Sequence, residues 1–256
     1  MRIEDLSKTL PISKPVEDIP VLEVVDLPSK FLPYPKGSKI SYRPFTYGEM
    51  VKFNNSSLSH KDRYNLIISG IVTEGFKKEE IAYFDYLFLA TLRKISTTSN
   101  SMFNIKYTCN ECDHFNDQNK ELSTINFSDL EIPAFPIFLP LNEDGTDCLE
   151  LGILTVKSYF DLLGQNKLDD PIAVYSSTVR NKRFDESYKI ISSARNETLE
   201  LLEEVDQLTN FKVNTTKVKC TKCNNEEEKE LGEIQNLIYP FRRDTLSIRN
   251  RIRFGV

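Results

Sequence analysis

Apolar residues recur along this chain in two rhythms, one helical and one extended. From residue 46 to 102 they fall three and four positions apart, the spacing of one helical face. Thr46 is placed to cap a short helix running to about residue 54. Ser59, with Asp62 three places on, resembles a capping box ahead of Tyr64, Leu66, Ile67 and Ile68, in a helix that Gly75 is expected to end. A third helix is predicted over residues 78–95, where Ile81, Phe84, Phe88, Leu92 and Ile95 keep helical spacing. Leu87, Leu89 and Ala90 widen that stripe until it nearly encircles the helix, which marks it as central to the core.

Extended stretches flank this region. Residues 1–45 hold Pro11, Pro15, Pro20, Pro28, Pro33, Pro35 and Pro44, each removing a backbone donor, so a helix is excluded and an extended arm is predicted. Its short apolar groups (Val21-Leu22, Val24-Val25, Phe31-Leu32) suit a segment that lies on its own domain or on a neighbour, with residues 1–18 free to be a loose tail. Residues 39–45 read as a strand, as do 103–107 and the segment after Cys112. A β-hairpin is predicted from 135–141 and 148–154, turned at Asn142–Gly145. Thr155 then caps a helix carrying Val156, Tyr159, Phe160 and Leu163, and another starts near Asp170-Pro171. The longest helix is expected over 185–208, a strand over 213–218, and further helix over 231–253, interrupted near Pro240.

The chemistry sits in a repeat. Residues 104–112 run as a strand into Cys109-x-x-Cys112, and residues 215–223 do the same into Cys220-x-x-Cys223. Two thiolates three residues apart on a tight turn can both reach one ion at about 2.3 Å, and two such turns complete a tetrahedron. One structural zinc shared by Cys109, Cys112, Cys220 and Cys223 is therefore expected, in the arrangement of a zinc ribbon, with four thiolates leaving no open position for water. An iron–sulfur cluster and metal-free cysteines are the competing readings. A redox pair would begin a helix, and neither Cys-x-x-Cys is followed by a helical pattern. The departure from compact ribbons is the gap, since residues 113–219 must form an insertion between the knuckles. His114 beside the first knuckle is a weaker candidate ligand, His60 belongs to a helix start, and Cys148 is expected to be a buried core residue.

Other chemistry is missing from the pattern. There is no phosphate-cradling Gly-rich loop, no His-Glu-x-x-His and no Gly-x-Ser-x-Gly, so the chain reads as a non-enzyme. Asp85 is the one odd carboxylate, inside an aromatic helix face, where it would pair with Arg93 or Lys94 or cap a neighbouring backbone. No run of roughly 18 apolar residues is present to span a bilayer, and the first residues lack the apolar core of a signal peptide, so the chain is expected to stay in the reducing compartment where it is made. A net charge of −5 argues against a nucleic-acid binder, although Arg242, Arg243, Arg249, Arg251 and Arg253 make the C-terminal segment basic.

These positions also form a familiar series. Leu27-Pro28-Ser29-Lys30 and Tyr34, then Tyr42-Arg43-Pro44-Phe45-Thr46 leading to Glu49, then Asp85-Tyr86-Leu87-Phe88 with Leu92-Arg93, precede Cys109-x-x-Cys112. The series resembles the baseplate hub assembly proteins of T-even-type contractile-tailed bacteriophages, over about residues 25–165. The resemblance implies a phage protein of the host cytoplasm, with the tail baseplate of the virion left open as a second location. It implies other hub proteins as partners, without a membrane, and leaves a homo-oligomer open. The opposing class is a zinc-ribbon transcription or nucleic-acid-binding factor.

The expected fold is α+β, mainly helical, with short β-hairpins and a zinc ribbon built from two distant knuckles. The expected division is a Pro-rich arm (1–45), a helical region (46–102), the ribbon (103–126 and 213–232), an inserted hairpin-plus-helix domain (127–212) and a basic tail (233–256).

Overall fold

The structure, a computed structural model, describes residues 20–231 apart from 54–56, 98–101, 128–129, 131, 133, 143 and 210–214. The loose tail and the basic segment after residue 231 lie outside the described residues.

The fold is α+β. Among the described residues there are seven α-helices and nine strands, so mainly helical overstates one half of it. The proline-rich arm adds a short strand, β1 (Leu22–Glu23), to the edge of an antiparallel sheet completed by β2 (Lys39–Tyr42) and β3 (Ile71–Glu74), in the order β1-β2-β3. The arm therefore lies on its own domain from residue 20 onward, with Leu27, Ser29 and Tyr34 buried.

Helix α1 (Tyr47–Phe53) begins with a reciprocal cap: Thr46 Oγ1 accepts the Glu49 N–H at 3.1 Å, and Glu49 accepts the Thr46 N–H at 2.8 Å. Helix α2 (His60–Ser69) is capped by Ser59, which accepts from Asp62 N–H. It ends at Gly70 rather than at Gly75: the guanidinium of Arg93 takes the carbonyls of Leu66 and Ile67 at that end and fills the space beside Gly70. A Cβ there would clash with the Arg93 guanidinium. Residues 71–74 then return as β3, and Gly75, at φ +89°, makes the following turn.

The helix predicted over 78–95 is interrupted. A 3₁₀ turn (Lys78–Glu80) gives way at Ile81 and Ala82 before α3 (Tyr83–Thr97). The reason is tertiary: Ile81 O accepts from Val156 N–H at 2.8 Å, Ala82 N–H donates to Tyr34 Oη at 3.0 Å, and Tyr83 N–H donates to Leu154 O at 2.9 Å. Backbone groups engaged this way cannot also close helical turns.

Beyond the first knuckle, β6 (Ile137–Pro140) and β7 (Cys148–Leu151) form the expected hairpin, slightly shorter than predicted. Helix α4 (Val156–Gly164) starts at the anticipated cap, Thr155, and α5 (Pro171–Thr178) starts at the expected Pro171, with Asp170 as its cap. The long helix expected over 185–208 is two, α6 (Phe184–Ser192) and α7 (Asn196–Thr209). The Ser192 and Ser193 hydroxyls turn back to donate to Lys189 O at 3.1 and 2.8 Å, and serines that compete for helix carbonyls favour an end. The bend lets Ile191 and Leu202 both enter a small core with Leu139, Leu149 and Leu151. A larger core centres on α3 and collects Leu27, Ile40, Ile67, Ile71, Ile105, Leu122, Val156 and Val218 from nearly every other element.

Two buried polar networks tie this core together. Asp85, fully buried on α3, accepts from Ser29 N–H at 3.1 Å and from Tyr34 Oη at 2.6 Å, so it caps a neighbouring backbone and pins the arm. Arg93, equally buried, turns elsewhere: its guanidinium donates to Arg43 O at 2.7 Å and to the carbonyls of Leu66 and Ile67 at the end of α2, and lies 3.8 Å from the centre of the Phe45 ring. Cation at helix C-terminus is the favourable sense of the dipole. Glu49 completes this network, bridging Arg43 at 2.7 Å and Arg93 at 3.5 Å.

Candidate metal centre

The first knuckle is carried by the hairpin of β4 (Met102–Thr108) and β5 (Phe115–Glu121), the second by β8 (Thr215–Lys219) and β9 (Glu226–Glu230). Each turns the same way. Cys109 N–H donates to His114 O at 3.0 Å and Asp113 N–H to Cys109 O at 3.0 Å. In the second knuckle Cys220 N–H donates to Asn225 O at 2.8 Å and Asn224 N–H to Cys220 O at 3.0 Å. Asp113 and Asn224 both sit at positive φ, 52° and 63°. Asp and Asn are the non-glycine residues that tolerate that conformation best. The repeat read in the sequence is thus a repeat of backbone geometry.

The two turns face each other. Cys109 Sγ lies 3.6 Å from Cys223 Sγ, and Cys112 Sγ lies 3.6 Å from Cys220 Sγ. All four sulfurs fall within 4.8 Å of one another. A tetrahedral ion with metal–sulfur bonds of about 2.3 Å requires sulfurs about 3.8 Å apart. A disulfide requires about 2.05 Å, and all five cysteines are free thiols. The spacing is that of a shared ion. Cys109 and Cys220 are buried, Cys112 is half-buried and Cys223 is exposed, so the site lies at the surface with its inner edge covered.

The thiols are unequal. Burial opposes ionisation of Cys220, yet the backbone N–H groups of Cys223 and Lys222 aimed at its sulfur bring it down to about 6. Lys222 N lies 3.4 Å from that sulfur. Burial pushes Cys109 up to about 12. Four sulfurs this close cannot all carry charge unaided, and a divalent cation among them removes the conflict.

A second layer, which the sequence reading missed, clasps each knuckle to the other. Asn116 is buried; its side-chain oxygen accepts from Thr221 N–H at 3.0 Å, and its amide nitrogen lies 3.7 Å from Cys220 Sγ. Glu227 occupies the matching place in the second hairpin and accepts from Asn110 N–H at 3.0 Å. Lys229 neutralises it, with Nζ 2.6 Å from Oε2, and together with the Asn110 N–H holds the carboxyl down at about 2. The signal was available: Asn116 and Glu227 each follow the second cysteine of their knuckle by four residues, so extending the repeat past Cys112 and Cys223 aligns them.

Other candidates fall outside the centre. His114 contributes its backbone carbonyl to the first turn, and the cluster of potential ligand atoms contains the four cysteines alone among the described residues. Cys148 is also outside it, but half-buried rather than a core residue: on β7, Leu149 and Leu151 face inward, and the alternation of a strand turns Cys148 the other way. No helix among the described residues is long and apolar enough to cross a membrane. No protein-family model, curated protein or solved structure matches this chain.

Proposed function

We propose that this protein is a non-enzymatic assembly protein of the baseplate hub of a contractile-tailed bacteriophage, either a hub component or an assembly factor, that binds other hub proteins and holds one structural zinc ion through Cys109, Cys112, Cys220 and Cys223. The observation that carries the reading is the convergence of the residues bearing the resemblance. Ser29, Tyr34 and Asp85 form one buried network, and Arg43, Glu49 and Arg93 form the adjacent one. Residues scattered over some sixty positions act as two working parts of one core, which gives the series a common structural role. Zinc fits the donors: four thiolates at tetrahedral spacing suit an ion without a redox role and close its coordination.

The nucleic-acid alternative finds little support in the ribbon. Lys217 stands opposite Glu228 and Lys219 opposite Glu226, so the lysines of β8 meet glutamates across the hairpin instead of forming a basic face. The test is affinity capture of the tagged protein from infected cells, with elemental analysis of the purified chain. Hub proteins should co-purify and zinc should be near equimolar. Capture without any hub protein, together with salt-dependent DNA binding, would overturn the assembly reading; iron, or zinc at half the chain concentration, would overturn the shared zinc.

A further inference from the structure

Helix α7 has a surface that the proposed hub role does not explain. It carries Glu197, Glu200, Glu203, Glu204 and Asp206 and no lysine or arginine. Glu197, Leu201, Glu204 and Leu208 follow one another at helical spacing, and all four are exposed, the two leucines at 43% and 48%. None of Glu197, Glu200, Glu203 or Glu204 forms a salt bridge among the described residues. The inner side of the same helix opens on an apolar cavity of about 310 Å³, bounded by Tyr83, Leu151, Tyr159, Leu202, Val205 and Asp206. An apolar strip edged by unpaired carboxylates calls for an apolar segment edged by cations.

The chain itself contains one. Residues 242–254 interleave Leu246, Ile248, Ile252 and Phe254 with Arg242, Arg243, Arg249, Arg251 and Arg253, against the single acid Asp244. Topology puts this segment within reach. Residues 210–214 join the end of α7 at Thr209 to Thr215, a span of at most roughly 22 Å. Thr215 pairs with Glu230 across the hairpin, so the chain leaves the ribbon at Leu231 beside Thr215, at the end nearer α7 in sequence. Residues 232–241 can extend over roughly 33 Å, enough to carry residue 242 back to the helix.

We propose that the exposed face of α7 and the adjoining cavity are the docking site of this chain's own basic segment, residues 242–254, within the same molecule. Arginine forks suit carboxylates held along a helix, and the leucines and the cavity mouth take the intervening apolar side chains. The inference is independent of what the protein assembles with.

Hydrogen exchange on the full, zinc-loaded chain tests it. Converting Arg249, Arg251 and Arg253 together to Glu should speed exchange of the α7 amides about fivefold, and so should converting Glu197, Glu200 and Glu204 together to Arg. Combining the two sets, which swaps the charges, should restore slow exchange. In the unaltered protein, raising salt from about 0.05 to about 0.5 M should speed α7 exchange in the same sense, with no dependence on a substitution being tolerated. Protection should not change with protein concentration. Unchanged α7 exchange in the Arg→Glu chain overturns the proposal. So does failure of the swapped chain to recover, and so does protection that grows with concentration, which would assign the surface to a second copy.

Discussion

The ribbon and the α3-centred core solve the same problem with different means. Helix α3 alone buries Tyr83, Tyr86, Leu87, Leu89 and Ala90, and neighbours from the arm, α2, β3 and α4 close over them. The ribbon has little of this. Its inward apolar residues are Phe103, Ile105, Tyr107, Leu122, Ile125, Val218 and Leu231, which form one edge of the α3-centred core; β5 otherwise reads Asn-Asp-Gln-Asn-Lys-Glu after an exposed Phe115, and β9 reads Glu-Glu-Glu-Lys-Glu. Two-stranded hairpins this polar are marginal in water without another partner. The core can stand on apolar burial with two buried ions to fix its register. The knuckles, which lie beyond the apolar edge the ribbon shares with that core, depend on whatever the four sulfurs hold.

The sharpest way to break that comparison is to remove one sulfur. Cys220→Ser should abolish metal binding, a loss on the order of 10 kcal/mol to the ribbon in a zinc-dependent fold. Hydrogen exchange should show β4, β5, β8 and β9 unprotected while α3 remains protected. Collapse of both regions together would show that the core leans on the metal as well. Cys148→Ser, by contrast, should leave metal content unchanged, and equal metal loss in the two variants would show the ligand set to be wrong.

Next in size is Arg93. It is the buried cation on which the end of α2, the Arg43 carbonyl and Glu49 all converge. Arg93→Met strands those acceptors and should cost about 3–5 kcal/mol, read as a lower denaturation midpoint with metal content retained. Gly70→Ala should act in the same direction by pushing the guanidinium off its carbonyls. A variant as stable as the parent would mean that the network is incidental to the core.

Much of this was legible before any coordinates. The capping residues Thr46, Ser59 and Thr155 announced their helices because side-chain oxygens at those positions satisfy local N–H groups, as Pro171 announced another from its first turn, and local signals survive in sequence. The four cysteines were legible because a knuckle is also local, and its repetition doubled the signal. What failed was non-local. Nothing near Gly70 says that an arginine from 23 residues onward fills the space beside it, and nothing near Ile81 says that Tyr34 and Val156 claim the adjacent backbone. The same limit hid the clasp of Asn116 on Thr221, which joins residues 105 apart.

That clasp offers a smaller and finer test. Asn116→Ala removes the acceptor for Thr221 N–H and an amide near Cys220 Sγ, at a buried position, and should cost about 1–2 kcal/mol while weakening metal retention against a chelator. Asn116→Asp keeps the acceptor but loses the amide donor and adds a negative charge beside the thiolates, so retention should be weaker still. Retention equal to the parent in both variants would reduce the clasp to packing.

The smallest effect separates the regions by pH. Burial is the largest influence on Asp85 and pushes its carboxyl up to about 6, against the bonds from Ser29 and Tyr34, whereas an unfolded aspartate titrates near 3.9. Between those values the folded chain binds the proton more tightly, so Asp85 makes the core more stable below pH 4 and progressively less so as pH rises through 6. Glu49 runs the other way: although burial alone would raise it, Arg43 and the Thr46 N–H hold it at about 2, so its contribution is present above the unfolded value near 4.3 and fades only as pH falls toward 2. From pH 5 to 7 Asp85 is therefore the group that acts in the core. Asp85→Asn should remove a stability change of about 1 kcal/mol over that interval, measured as the difference between variant and parent in denaturant unfolding at the two pH values. Any proton-driven loosening of the thiolate site is common to both chains and cancels in the difference. A variant that tracks the parent across the interval would mean that Asp85 titrates as it does unfolded, and that the arm is pinned by Tyr34 and Leu27 without help from a buried carboxyl.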